Sequence, residues 1–279
     1  MGVRILHSSA SVATTTLADR AYVGQPVWNE RIYYEFVSQY ARDRRWLDLG
    51  CGRGTDEAML LSIRRRMGER VHIGVDIEMR SLRDSRETKR VCANIESLPF
   101  PSGSFDLLTS NMVFEHLNNP LAALKEAYRV LDERGVLIIH TASSRHYMLM
   151  AGRLLSSFLP RETYQDLVAS YTGRKKEDIF PTRYRMNTEK KLSAAATEAG
   201  FRECVVRYLE TPLDLPLRMR ALEVHVRPWL SRSLKSTMLA IIHKQPLTMT
   251  GAPASSIWAV ANALSQRSIS SEPVPEEQK

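Results

Sequence analysis

Residues 45–56, Arg-Trp-Leu-Asp-Leu-Gly-Cys-Gly-Arg-Gly-Thr-Asp, constrain the fold more than any other stretch of the chain. Trp46, Leu47 and Leu49 make a short apolar run suited to a buried strand. Gly50, Gly52 and Gly54 then permit positive φ and close approach of the backbone to a ligand. Asp56 offers a helix N-cap, and Ala58, Leu60, Leu61 and Ile63 carry the pattern on into a helix. Strand, glycine turn and helix in that order expose backbone N–H groups at a helix N-terminus, where the partial positive charge favours an anionic group.

The ligand follows from two details. A dinucleotide turn, G-x-G-x-x-G/A, needs a third small residue where Thr55 stands. Asp48, just ahead of the first glycine, would repel a pyrophosphate and attract an ammonium. Both features argue against a nicotinamide oxidoreductase and for a ligand with a carboxylate and an ammonium, such as the end of an amino acid. The stretch resembles the first motif of the class I S-adenosylmethionine-dependent methyltransferases.

Later segments extend the resemblance. Residues 70–76 read as a second strand ending in Asp76, about twenty residues after the glycine turn, the spacing at which an acid meets ribose hydroxyls. The other role open to Asp76 is a cap for the helix from Glu78. Residues 90–94 read as a third strand, followed by Asn-Ile-Glu-Ser-Leu-Pro-Phe at 94–100. This is similar to the family's Asp-Ala-Glu-x-Leu-Pro-Phe, whose first residue bonds the adenine amine. Asn94 replaces that Asp, and its amide oxygen still accepts from an amine. Residues 105–110 form a fourth strand, with Asn111 at its tip and Glu115-His116-Leu117, a common family pattern, just beyond. Pro120 begins a helix carrying Leu121, Leu124, Ala127, Tyr128 and Leu131, which Gly135 is expected to close. Residues 136–140 form a fifth, continuous apolar strand ending in His140.

Alternating strands and helices predict an α/β, doubly wound, mainly parallel sheet. The resemblance covers residues 28–142 and implies a Rossmann-like sheet of seven strands, the last antiparallel; the pattern after Ala142 reads as a helical insertion following the fifth strand. It also implies S-adenosyl-L-methionine as cofactor, held by Asp48, Gly50, Cys51, Gly52, Gly54, Asp76, Ile77, Asn94, Ile95 and Asn111. No metal is expected. A helix over 27–40 precedes the first strand; Tyr33 or Tyr34 would touch the cofactor or pack in the core.

Residues 1–26 read as a flexible tail, 27–264 as the methyltransferase domain and 265–279 as a polar, disordered tail. Residues 147–187 read as a helical lid over the cleft, with His146, Tyr147 and Tyr184 as substrate contacts. A helical pair extending the core is the alternative. Thr188 and Gly200 cap and stop a further helix, and residues 201–209 and 236–244 supply the sixth and seventh strands.

Bulk properties set the remaining bounds. The 279 residues suffice for one full core. Three cysteines without metal spacing or a disulfide framework indicate a reducing, cytoplasmic setting, with each thiol packed as a small buried group. No apolar run approaches the roughly 18 residues of a membrane-spanning helix. A transit peptide at the N-terminus is a minor reading, and Leu6 does not suit myristoylation. The net charge of +8 permits attraction to phosphate, nucleic acid or an anionic membrane without demanding any of them. Residues 215–235 set Arg218, Arg220, Arg227, Arg232 and Lys235 among leucines and Trp229, which suits peripheral membrane association or an ordinary amphipathic helix.

The expected reaction is in-line methyl transfer to oxygen, nitrogen or carbon of a small molecule: a glycan, a lipid-linked compound or a natural product. Alignment supplies roughly 7–11 kcal/mol of the barrier, whereas a general base adds about 10²–10⁴-fold in rate, so no catalytic triad is required. For a hydroxyl acceptor, His116 and His140 are the candidate bases, His116 first. Structural hydrogen bonding is the plain alternative for each. An RNA methyltransferase and a non-catalytic cofactor-binding regulator remain as alternatives. The oligomeric state is left open.

Overall fold

The structure is a computed structural model that describes residues 28–52, 71–83, 85, 89–146, 150, 158, 163, 181–209 and 237–246. Seven strands form one sheet in the order β3-β2-β1-β4-β5-β7-β6. They are β1 (Trp46–Leu49), β2 (His72–Asp76), β3 (Arg90–Cys92), β4 (Phe105–Asn111), β5 (Leu131–Ala142), β6 (Glu203–Leu209) and β7 (Thr237–His243). β1, β2, β3, β4 and β5 pair in parallel, and β7 runs antiparallel to both β5 and β6. Strand order reverses between β1 and β4, and ligands of such sheets bind at the strand tips beside that reversal.

The two faces bury different sets of side chains because strand residues alternate. Leu47 and Leu49 of β1, Leu108 of β4 and Leu137 and Ile139 of β5 face one way. They pack against α3 (Pro120–Val130) and α4 (Glu189–Ala199), through Leu124, Ala127, Leu192 and Ala196. Trp46, Leu107, Val136 and Ile138 face the other way, under Tyr33, Phe36 and Val37 of α1 (Trp28–Tyr40). The short α2 (Met79–Arg83) follows β2.

The caps read from sequence at Thr188 and Gly200 are present. The Thr188 side chain accepts from Lys191 N, and Gly200 ends α4 at φ 107°. The expected end of the preceding helix is corrected. α3 stops at Val130 and Leu131 is already extended. Gly135 lies inside β5, not at a helix terminus. Leu131 pairs with Phe105 across a bulge, and the Gly135 carbonyl accepts from Lys244 N. Long-range pairing on both sides thus extends a stretch whose local composition suggested one more helical turn. The cysteines also differ from expectation: all three are free thiols, but only Cys204 is buried, Cys51 is half-buried and Cys92 is exposed. The expected helix after Asp56, residues 215–235 and both tails lie outside the described residues, as does most of the lid. No described helix is long and apolar enough to cross a membrane.

Candidate active site

The tips of β1 and β2 are tied together. Gly50 N and Cys51 N both donate to the Val75 carbonyl, at 2.7 and 3.0 Å. Gly50 and Gly52 adopt φ of 71° and 54°, the left-handed region that glycine enters without a Cβ penalty. A Cβ on Gly50 would lie 2.4 Å from Val113 Cγ2, whereas no described residue comes within 4 Å of one built on Gly52. Gly50 is thus held by the protein's own packing. Gly52 faces open space, the arrangement expected where a ligand comes close to the chain.

Asp76 joins the two readings the sequence allowed. Its Oδ2 accepts from Gly52 N and its Oδ1 from Glu78 N, both at 2.8 Å. The carboxylate therefore braces the glycine turn and the loop into α2. A carboxylate has about four lone-pair sites, so two remain for hydroxyl donors. Ile77 beside it is 69% exposed, an apolar surface at the edge of a polar cradle. Asn94 is exposed, and its Oδ1 accepts from Glu96 N at 2.9 Å. Ile95 is buried in the core beneath. Gly54 lies outside the described residues.

Asp48 is buried under α1 rather than at the surface of the turn. Its Oδ1 accepts from Thr109 Oγ1 at 2.6 Å, and Thr109 Oγ1 accepts from Trp46 Nε1 at 2.7 Å. Burial, then the Asp48 charge, pushes the Tyr33 phenol well above its ordinary range. Tyr33 is a core residue; Tyr34, half-buried one position on, is the α1 tyrosine that reaches the strand tips.

Two polar groups meet at those tips, one on each face of the sheet. On the α1 face, His140 of β5 sits beside Asn111 of β4, as the register dictates. His140 Nδ1 donates to Asn111 Oδ1 at 2.7 Å, and Asn111 Nδ2 donates to Tyr34 Oη at 3.4 Å. Tyr33 stacks on the imidazole with centroids 5.6 Å apart. His140 is 2% exposed, and burial pushes its pKa down to about 4. On the opposite face, buried Glu115 accepts from Thr141 Oγ1 at 2.6 Å, and Asn187 Nδ2 donates to the same Thr141 oxygen at 2.8 Å. Burial raises the Glu115 carboxyl above its usual range.

The second group also moors residues 181–187 to the site. Arg183 N and Tyr184 N donate to the Glu115 carbonyl, and the Asn187 carbonyl accepts from Ser144 N and Oγ. His116 Nδ1 lies 3.1 Å from the Pro181 carbonyl. Residues 181–184 thus run beside Glu115 and His116, while His140 lies on the other face of the sheet. His146 is buried and caps the loop after β5, its carbonyl accepting from Met150 N. Tyr147 is outside the described residues.

Several contributors went unnamed in the sequence reading. Met112 holds φ of 56°, uncommon for a non-glycine residue and concentrated at functional sites. Thr109, Thr141 and Asn187 carry no motif; only register and loop docking bring them to their partners. Among the described residues no cluster of His, Cys, Asp and Glu could hold a metal ion. A charged depression lined by Arg44, Arg45, Asp106, Asp132 and Arg134 lies at the other end of the sheet, where Arg45 clasps Asp106 at 2.7 Å. It is remote from the strand tips, and Arg45 also pairs with Asp132 there.

A mainly parallel sheet with a glycine turn braced by an acid at the next strand tip is an open α/β arrangement, whose ligands bind at the strand tips. Comparisons narrow that class. Residues 47–139 match the model of a methyltransferase domain family. The malonyl-[acyl-carrier protein] O-methyltransferase of Laribacter hongkongensis is 34% identical over 112 residues, covering 35% of this chain and 37% of that protein. The mitochondrial 2-methoxy-6-polyprenyl-1,4-benzoquinol methylase of Caenorhabditis elegans is 32% identical over 103 residues, 32% of this chain and 35% of that one. A solved S-adenosylmethionine-dependent methyltransferase from Archaeoglobus fulgidus shares the fold with a TM-score of 0.50 at 16% identity, covering 77% of this chain and 94% of that one. Residues 47–139 are thus similar to a methyltransferase domain, and the sheet has the fold of solved S-adenosylmethionine-dependent methyltransferases. The matched stretch spans about half or less of the length of the curated relatives.

Proposed function

We propose that the protein transfers a methyl group from S-adenosylmethionine to a small organic acceptor. One observation carries this reading: the Gly50–Gly52 turn is wrapped onto the Asp76 carboxylate through the 2.8 Å bond from Gly52 N. That bond puts open backbone and spare carboxylate lone pairs at one place, which is what a ribose and its attached amino-acid end require. The residues present therefore fit the cofactor. Asp76 would take the ribose hydroxyls, Gly52 the close approach, Ile77 one face of the base and Asn94 its amine. When bound, the cofactor supplies a methyl group already activated for in-line displacement.

The chain's own task is then to hold the acceptor in line and exclude water. Preorganised alignment is the larger share of catalysis for such a step. Residues 181–187, moored to Glu115 and Ser144, stand where they would cover the acceptor, with Tyr184 and His116 as contacts. Relatives named for a malonyl group on a carrier protein and for a polyprenyl benzoquinol support an organic acceptor over RNA. A glycan, a lipid-linked compound and a natural product are the classes favoured. The apolar–basic stretch 215–235 suits an acceptor presented at an anionic membrane surface.

Calorimetry with S-adenosylhomocysteine tests the cradle directly. Binding to the wild type is expected, weakened at least tenfold in Asp76→Ala. No heat with either the donor or its demethylated product rejects the proposal. Incubating cell extracts with the protein and a deuterated methyl donor, followed by mass spectrometry, reads out the acceptor class. Absence of any labelled product would leave a cofactor-binding regulator in place of an enzyme.

A further inference from the structure

The imidazole of His140 has a donor side and an orphaned acceptor side. Nδ1 is engaged by Asn111 Oδ1 at 2.7 Å, and a carbonyl oxygen can only accept, so Nδ1 carries the proton. Nε2 is then the bare lone pair. It is buried and has no hydrogen-bond partner among the described residues. Leaving a buried acceptor unmatched costs about 1–3 kcal/mol, and native structures rarely do so without a catalytic or ligand-binding reason. The neighbours do not supply one. Tyr33 stacks on the ring face, Tyr34 receives the Asn111 amide, and apolar Leu239 is the strand partner on β7. On β1, Asp48 is bonded to Thr109.

Asn111 is the last residue of β4 and His140 lies opposite it, at the strand tips where ligands of such sheets bind. We infer that Asn111 is a positioning residue that fixes the Nδ1–H tautomer of His140, and that the methyl acceptor is a protic atom, a hydroxyl or an amine, whose proton passes to Nε2. This rests on the methyltransferase reading above. It also reassigns Asn111 from cofactor contact to holder of the base, and places His140 ahead of His116. In the transfer, an acceptor lone pair forms the new bond to the methyl carbon. The carbon–sulfur bond breaks with its electron pair going to sulfur. The acceptor's proton moves to Nε2, and the imidazolium returns it to solvent.

Burial lowers the ring's pKa to about 4, so the resting imidazole is neutral with a lone pair on Nε2. A glutamine or asparagine at position 140 would offer an acceptor oxygen but could not carry the proton away.

The first test needs no ligand. In protein labelled with ¹⁵N-histidine, the His140 ring is expected as the Nδ1–H tautomer, with unprotonated Nε2, from pH 5.5 to 8. Asn111→Ala should release that tautomer. Asn111→Asp, which keeps an acceptor oxygen, should preserve it and raise the ring's pKa. A proton on Nε2 in the wild type, or a tautomer indifferent to Asn111→Ala, overturns the inference, and the wild-type spectrum alone decides should a variant not fold. The second test uses the deuterated methyl donor in cell extract. Product methyl should reside on oxygen or nitrogen, His140→Gln should lower transfer by about 10²–10⁴-fold, and Asn111→Asp should recover more transfer than Asn111→Ala. S-adenosylhomocysteine affinity in His140→Gln should stay within threefold of wild type. A methyl group on carbon, or wild-type transfer by His140→Gln, overturns it. If the wild type fails to bind S-adenosylhomocysteine, it is the methyltransferase reading that falls, while the tautomer measurement still decides the role of Asn111.

Discussion

Gly50 and Gly52 look alike in sequence and differ in what restrains them. Both take positive φ, which costs an L-residue roughly 1–2 kcal/mol. Only at Gly50 would an added Cβ also strike Val113, at 2.4 Å. Gly50→Ala is therefore expected to lower stability by more than about 2 kcal/mol. Gly52→Ala should cost about 1–2 kcal/mol while weakening S-adenosylhomocysteine binding far more than its stability loss implies. Urea unfolding and calorimetry on both variants check the contrast; equal stability losses would reject it. Thr109 offers a second test at this scale, because its hydroxyl joins Trp46 Nε1 to Asp48 in a buried chain. Thr109→Val keeps the shape, orphans the indole N–H and removes a donor from a buried carboxylate. A loss of about 1–3 kcal/mol is expected. The glycines and Asp76 were readable in the sequence because turn chemistry is local. Thr109 was not, because its two partners stand some sixty residues away in the chain.

Helix α4 shows how far local signals reach at the level of an element. Thr188 and Gly200 mark its ends in sequence, and the structure uses both as caps. Thr188→Ala should cost about 1 kcal/mol. Gly200→Ala should cost more, since it adds to the φ of 107° a Cβ placed 3.1 Å from the Tyr128 ring. Thermal unfolding of the two variants, with the glycine variant the less stable, checks the ranking. The α3–β5 junction is the counter-example. Residues 131–135 carry no strong strand pattern, and pairing with Phe105 and Lys244 draws them into the sheet. An element whose state is set by partners far along the chain has little local signal to read.

For the whole molecule, pH is the informative variable. Burial pushes His140 and, with the Arg44 charge, His243 down to about 4, against about 6.5 in an unfolded chain. Below pH 6.5 the unfolded state takes up these protons first, so stability is full above that pH and declines as pH falls toward 4. Each histidine contributes up to about 3 kcal/mol to that decline. Glu115 works in the opposite sense: its raised pKa favours the folded, protonated form as pH drops, offsetting part of the loss. Asp106, held at about 2 by Arg45, adds a further decline between pH 4 and 2. Urea midpoints at pH 7, 5.5 and 4 should fall in step, and His243→Gln should flatten the limb between 6.5 and 4. An unchanged slope in that variant would reject the assignment.

Most strand positions, the glycine turn, the acid at the second tip and the caps of α4 were settled by residues a few places apart, through side-chain alternation, backbone freedom and capping. That is enough to specify a Rossmann-like sheet and where a nucleoside would lie on it. Which polar side chains meet was decided in three dimensions. The β4–β5 register sets Asn111 against His140, and the docking of residues 181–187 carries Asn187 to Thr141 and Tyr184 to Glu115. Burial then determines their protonation, since the same histidine or glutamate titrates ordinarily in water and far from its usual pH once α1 or the neighbouring strands exclude solvent.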